Sequence, residues 1–99
     1  PEKRLQIDVL FLGANGIDLK AGYTTPILEE VEVNVAMMRK ASRVVLVADH
    51  SKFGRVTLAT IAPIAAAHVL VTDAGAPRPM LERIRRRGVR VLVAGRSGR

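Results

Sequence analysis

Apolar residues along this chain fall into short runs that predict buried β-strands. Most of the runs are nearly continuous and rich in Val, Ile and Leu, and each one ends in glycine or polar residues. A further segment, Val56–Ile61, alternates apolar and small polar residues before Pro63, which indicates an edge strand or an extended segment. The predicted core strands are Leu5–Leu12, Val44–Ala48, Val69–Thr72 and Val89–Ala94.

Two segments between these runs have helical signals. The first extends from Pro26 to about Ala41, where Thr25 is placed to cap it and acidic residues in the first turn favour the positive end of the dipole. Its predicted apolar stripe consists of Leu28, Val31, Val35 and Met38. The second extends from Met80 to Arg87 and is closed by Gly88, with Glu82 spaced to pair with Arg86. This order of strands and helices predicts an α/β fold with a mainly parallel sheet flanked by helices.

Polar residues follow every predicted core strand, and the strands of a parallel sheet end at one edge. They are Gly13–Gly16, Asp49–Lys52, Thr72–Gly75 and Gly95–Gly98. Ligands bind outside the carboxyl ends of such strands, so the four ends together indicate a site for a polar ligand. The alternative is that they are ordinary polar turns.

The connection from Gly13 to Thr25 is long for a strand-to-helix turn, and a long loop in a compact domain is usually functional or disordered. Its glycines allow a ligand to approach the backbone. Thr24 and Thr25 place hydroxyls beside the free N–H groups of a helix start, which is a natural seat for an anion. The alternative is that Thr25 only caps the helix, and Asp18 in the same segment has the alternative role of holding a turn.

Length and composition exclude several classes of protein. Ninety-nine residues make one domain at most, and the first residue, Pro1, leads us to expect a piece of a longer protein. The absence of cysteine excludes disulfides and thiolate-bound metals. No apolar stretch reaches the roughly 18 residues of a membrane span, so we expect a cytoplasmic protein. His50 and His68 are isolated, and we expect neither a metal nor a cofactor.

The net charge of +7 is concentrated in the second half, where residues 51–99 contain ten Lys or Arg and two Asp or Glu. Such a distribution suits a nucleic-acid surface or a small anion, but a solvated helix face explains it equally well. The basic run from Arg83 to Arg87 has no interleaved aromatic residue, which argues against base reading. A solvated face or a subunit or domain contact is the favoured interpretation of that run.

Three motifs, GANGID, GYTTP and DHSKFG, closely resemble the carboxyl-terminal effector-binding domain of the DeoR family of transcriptional repressors. The resemblance covers about residues 8–73. It implies a bacterial regulator that senses a phosphorylated sugar or related metabolite and binds operator DNA through an amino-terminal helix-turn-helix. It also implies a fold like that of ribose-5-phosphate isomerase and the coenzyme A transferases. We expect this chain to hold only the carboxyl-terminal part of the sensor, without the helix-turn-helix, and to pair with other chains through an exposed sheet edge.

The resemblance and the strand ends together give a predicted effector site. Its residues are Gly13, Asn15, Gly16, Asp18, Thr24, Thr25, Asp49 and Lys52. Lys52 is expected to pair with a phosphate or hydroxyl. In comparison with the isomerase, Leu12 and Asn15 stand in the places of two acids, so the general base is missing and a sensor rather than an enzyme is expected. An isomerase-like enzyme and a basic nucleic-acid-binding module remain the alternatives.

Overall fold

The computed structural model describes residues 6–95, which form seven strands, two α-helices and two 3-10 helices of three residues each. Predicted segments at Leu5 and at residues 96–98 therefore lie outside the described residues. The strands are β1 (Ile7–Gly13), β2 (Gly16–Asp18), β3 (Gly22–Thr25), β4 (Ala41–Val47), β5 (Ala59–Ala62), β6 (Val69–Asp73) and β7 (Arg90–Ala94). The helices are α1 (Leu28–Lys40) and α2 (Arg78–Arg86).

Four strands form a parallel sheet in the order β1-β4-β6-β7, which confirms the predicted α/β fold and its four core strands. The register aligns Leu12 with Leu46, Leu46 with Leu70, and Leu70 with Val91. These residues form an apolar row on one face of the sheet, and all of them are buried. Apolar runs of this kind are expected of strands in a parallel sheet.

The segment between β1 and α1 is not the long loop predicted from the sequence. It forms the hairpin β2–β3, and β5 pairs antiparallel with β3 to complete a three-stranded sheet. The hairpin turn is closed by Asp18, whose Oδ2 accepts the N–H groups of Lys20 and Ala21 at 2.9 and 2.8 Å. Gly22 follows with a φ of 83°, which glycine adopts without strain. Strands of three and four residues are too short to show an alternating pattern, so the sequence gives no signal of them.

The hydrophobic core lies on one face of the parallel sheet. The second sheet contributes Ile17, Tyr23 and Ile61, and α2 contributes Leu81 and Ile84. On the opposite face several large apolar side chains are exposed, namely Val9, Phe11, Val47 and Leu92. The outer edge of β1 has no strand partner among the described residues, and the expected pairing between chains stays a prediction.

Helix α1 differs from its prediction in its start and in its packing. It begins at Leu28 rather than Pro26, because Thr25 is the last residue of β3 and Ile27 occupies the N-cap position. The expected apolar stripe is wrong at Leu28, which is 60% exposed, and none of the residues of the helix is fully buried. Met37 and Met38 are partly buried and pack against the core.

Helix α2 is confirmed, with a start at Arg78 that is two residues earlier than predicted. Gly88 follows it with a φ of 93°, as expected of a residue that ends a helix. Glu82 pairs with Arg85 at 3.0 Å rather than with Arg86. Neither helix is long and apolar enough to cross a membrane, among the residues that the structure describes.

Candidate functional site

An open cleft of about 900 Å³ lies at the carboxyl ends of β1 and β4. We call it the β1–β4 cleft. Its lining includes Gly13 and Asn15 at the end of β1, and Asp49 and Lys52 after β4. These residues lie close together because neighbouring parallel strands end at the same edge of the sheet. The start of α1 closes the other side. The remaining lining residues are Phe11, Leu12, Ala14, Glu29, Glu30, Val33, Asn34, Val47 and Ala48.

The polar segment after β4 is a tight turn organised by the carboxylate of Asp49. Its Oδ1 accepts the backbone N–H of Ser51 at 2.8 Å and the Ser51 hydroxyl. These hydrogen bonds are the main cause of a pKa for Asp49 of about 2. The ammonium of Lys52 lies 3.5 Å from Asp49 Oδ2 and 3.4 Å from Ser51 Oγ. Asp49 is therefore an anion that fixes both the turn and the position of the lysine.

The turn is joined to the end of β6 by Asp73. Its Oδ2 accepts the backbone N–H of His50 at 3.0 Å, and its Oδ1 lies 3.1 Å from the Nδ1 of the same histidine. Oδ1 also accepts the N–H of Gly75 at 2.8 Å. The backbone hydrogen bond from His50 is the largest cause of a lowered pKa for Asp73. Asp73 thus connects the ends of two neighbouring strands at the edge that carries the cleft.

Asp49, His50 and Asp73 each bring one potential metal ligand to within 4.8 Å of the others. Both carboxylates already accept backbone N–H groups from their own turns. Closure of the two turns explains the cluster, and we assign no metal to it.

The predicted site residues separate into two groups of equal size. Gly13, Asn15, Asp49 and Lys52 line the β1–β4 cleft, whereas Gly16, Asp18, Thr24 and Thr25 do not. A Cβ at Gly13 would have its nearest neighbour, the carbonyl oxygen of Val47, at 3.8 Å, so packing within the chain does not require glycine at this position.

The two threonines are buried and already hydrogen-bonded. Thr24 Oγ1 accepts the N–H of Thr57 at 3.0 Å and the hydroxyl of the same residue at 2.8 Å. Thr25 Oγ1 accepts the N–H of Ile27 and donates to Glu30 Oε1, both at 3.2 Å. These contacts hold β3 against the chain before β5 and against the start of α1. Neither hydroxyl faces the cleft.

Tyr23, the residue before these threonines in β3, is also structural. Its side chain is fully buried, and its hydroxyl donates to the carbonyl oxygen of Ile64 at 2.9 Å. Burial raises the pKa of this hydroxyl above its ordinary value.

Sequence reasoning missed the contribution of α1 to the cleft. The sequence indicates only an interaction with the helix dipole for Glu29 and Glu30, and Asn34 belongs to none of the motifs described above. The cleft therefore contains three carboxylates and one ammonium, together with the amides of Asn15 and Asn34. Several hydrogen-bond acceptors beside a few donors suit a ligand with several hydroxyls. The ammonium of Lys52 offers a position for a single anionic group.

Comparison with known proteins identifies the family. Residues 2–74 match the DeoR C-terminal sensor domain. The chain is 38% identical over 88 residues to a putative aga operon transcriptional repressor of Escherichia coli O157:H7, covering 89% of the chain and 33% of that protein. It is also 38% identical over 90 residues to the HTH-type transcriptional regulator GlpR of Haloferax volcanii, covering 91% of the chain and 35% of that protein.

A third relative is the deoxyribose operon repressor of Escherichia coli strain K12, which is 38% identical over 66 residues covering 67% of the chain and 26% of that protein. The chain spans about a third of the length of the first two relatives. All three are named as transcriptional repressors or regulators, not as enzymes. The chain therefore belongs to the DeoR family of transcriptional regulators, as part of its C-terminal sensor domain.

Proposed function

We propose that the β1–β4 cleft binds a phosphorylated sugar or a related metabolite as the effector of a DeoR-type regulator. The observation that carries this proposal is the meeting of Gly13, Asn15, Asp49 and Lys52 at the carboxyl edge of the sheet. Open α/β sheets bind ligands at this edge, and a sensor domain requires an effector site.

The residues of the cleft have distinct proposed roles. The ammonium of Lys52, held by Asp49, donates to the phosphate or to a hydroxyl of the ligand. The amide of Asn15 donates to and accepts from sugar hydroxyls. The carboxylate of Glu29 accepts from further hydroxyls, and the backbone at Gly13 allows the ligand to lie close to the sheet.

The positions at which the isomerase has acids do not supply a general base in this chain. Asn15 has no group that titrates, and Leu12 is an apolar residue that is 8% exposed in the core. An isomerase needs a general base near the carbon that loses a proton. The carboxylate of Asp49 is a weak base, because hydrogen bonds lower its pKa to about 2.

Bound effector would act by shifting the population of two arrangements of the regulator. A ligand does this only through different affinities for the two states. In the proposed regulator, one state binds operator DNA through an amino-terminal helix-turn-helix and the other does not. The relatives named as HTH-type regulators support this assignment of the DNA-binding part.

The test is thermal and urea unfolding of the 99-residue chain with a panel of sugar phosphates at millimolar concentration. A ligand at 100 times its Kd adds about 2.7 kcal/mol to the free energy of unfolding. We expect Lys52→Ala to weaken binding at least tenfold, since a hydrogen bond to a charged group contributes about 1.5–3 kcal/mol. Lys20→Ala is the matched control, because Lys20 is exposed on the hairpin and does not line the cleft.

Free sugars and inorganic phosphate, measured alongside, separate the two parts of the ligand. The proposal fails if no sugar phosphate stabilises the chain. It also fails if Lys52→Ala and Lys20→Ala bind the best ligand equally well.

A further inference from the structure

Exposed arginines are concentrated at the edge of the parallel sheet opposite the β1–β4 cleft. Arg43 lies near the start of β4, and Arg90 is the first residue of β7. Helices that connect parallel strands run in the opposite direction to them, so the last turns of α1 and α2 also lie at this edge. They contribute Arg39 and Arg86. We call Arg39, Arg43, Arg86 and Arg90 the basic edge.

The four guanidinium groups of the basic edge are exposed and have no acidic partner among residues 6–95. Two arginines near them differ in this respect. Arg85 is paired with Glu82, and Arg87 donates to the carbonyl oxygen of Leu19 at 2.6 Å. The structure thus uses some arginines of the second half to hold the fold, and leaves those of the basic edge facing solvent.

The spacing of Arg43 and Arg90 suits an extended anion. Val45 pairs with Val69, and Val69 pairs with Arg90, so Arg43 and Arg90 project from the same face of the sheet. Two strand spacings and two residues of rise separate their Cα atoms by roughly 12 Å. That distance along a DNA duplex contains about seven phosphate charges. A polyanion with this charge spacing can contact both side chains at once.

The basic edge is also distinct from the proposed effector site. Arg43 lies four residues before Val47, the last residue of β4 and part of the cleft lining, so roughly 13 Å of strand separates them. The basic edge is therefore a concentration of positive charge that effector binding does not explain.

We propose that the basic edge binds the phosphate backbone of DNA without reading its sequence. Two observations favour DNA over an acidic protein. The edge carries four arginines against one exposed carboxylate, that of Asp8 at the start of β1, and such an excess of positive charge is typical of protein–DNA interfaces, whereas the centre of a protein–protein interface is depleted in charge. The chain also belongs to a family of transcriptional regulators, whose members work at DNA. The contact positions the sensor domain against the duplex and adds affinity that depends on salt.

The test measures binding of the 99-residue chain to fluorescent duplex DNA by anisotropy as salt is varied. We expect similar affinity for unrelated sequences and a linear fall of log K with log salt. Arg43→Ala and Arg90→Ala should each reduce the slope by about 0.9, and the double variant by about twice as much. The matched control is Arg78→Ala, because Arg78 is exposed at the first turn of α2, at the opposite edge of the sheet.

Three results would overturn the inference. One is no DNA binding at about 50 mM salt, where such contacts are strong. Another is a slope that falls equally in Arg78→Ala, which would indicate general charge rather than the basic edge. The third is equal binding of polyglutamate, which would indicate an acidic protein as the partner. Lys52→Ala should leave DNA binding unchanged, so failure here and failure of the effector proposal are distinguishable.

Discussion

Gly16 and Gly13 belong to the same motif, but the structure predicts opposite consequences for their replacement by alanine. A Cβ at Gly16 would overlap the backbone carbonyl oxygen of Arg55 and the Oγ1 of Thr24. The first is main chain, and the second is fixed by two hydrogen bonds from Thr57, so neither can withdraw freely. Overpacking of this kind costs roughly 1–3 kcal/mol. The loss of backbone freedom in the unfolded chain offsets about 0.4–1 kcal/mol, which leaves Gly16→Ala destabilised by about 1–2 kcal/mol.

Gly13→Ala is the internal control for this calculation. The nearest atom to its Cβ would be 3.8 Å away, an ordinary contact, and Gly13 has no positive φ. We expect this variant to be as stable as the parent chain or more stable by up to about 1 kcal/mol. Urea unfolding followed by far-ultraviolet circular dichroism measures both variants. With a slope of about 1–3 kcal/mol per molar for a small domain, the two midpoints should differ by roughly 1 M. Equal midpoints, or a lower midpoint for Gly13→Ala, would refute the reasoning.

Three further predictions concern stability. Tyr23→Phe leaves the carbonyl of Ile64 without its donor and should lower the free energy of unfolding by about 1 kcal/mol, measured in urea; an unchanged midpoint would contradict the assigned hydrogen bond. Asp49 has a pKa of about 2 in the folded chain against an ordinary 3.8, so its contribution to stability is complete above about pH 4 and is lost as pH falls towards 2. Asp49→Asn should therefore flatten the pH profile of the urea midpoint in this range, and a profile identical to that of the parent chain would contradict the prediction. Leu70→Ala should lower the free energy of unfolding by about 2–5 kcal/mol, whereas Leu92→Ala, on the adjacent strand and 43% exposed, should lower it by well under half as much. Similar losses in melting temperature for the two variants would mean that both faces of the sheet are covered.

The parallel sheet was predictable because its strands are continuous apolar runs, and such runs are distinctive. The packing of α1 was not predictable from the sequence. Its periodicity identifies a helix in which one side is more apolar than the other, but periodicity does not say whether other elements cover that side. Leu28 fits the stripe and is nevertheless 60% exposed. The hairpin β2–β3 was missed for a different reason, since strands of three and four residues are too short for an alternating pattern to be recognised.

The candidate site was predictable where one topological rule applies. Gly13, Asn15, Asp49 and Lys52 each follow a parallel strand, and that alone places them at one edge. Thr24 and Thr25 could not be placed in this way. Their surroundings depend on Thr57 and on the start of α1, which are distant along the chain or in another element. The hydroxyls join β3 to the segment before β5 and to the start of α1, and sequence reasoning cannot distinguish this role from that of an anion seat.

The distribution of charge between the two ends of the sheet gives the proposed functions different electrostatic requirements. The β1–β4 cleft contains three carboxylates and one ammonium, so its local charge does not favour a polyanion. At the basic edge four arginines outnumber the single carboxylate of Asp8, so we expect this edge to attract polyanions. β4 carries Arg43 and ends at Val47, two residues before Asp49, so one strand connects the two proposed sites. A regulator of this design needs no charge at the effector site to bind DNA, and salt should weaken DNA binding far more than it weakens effector binding.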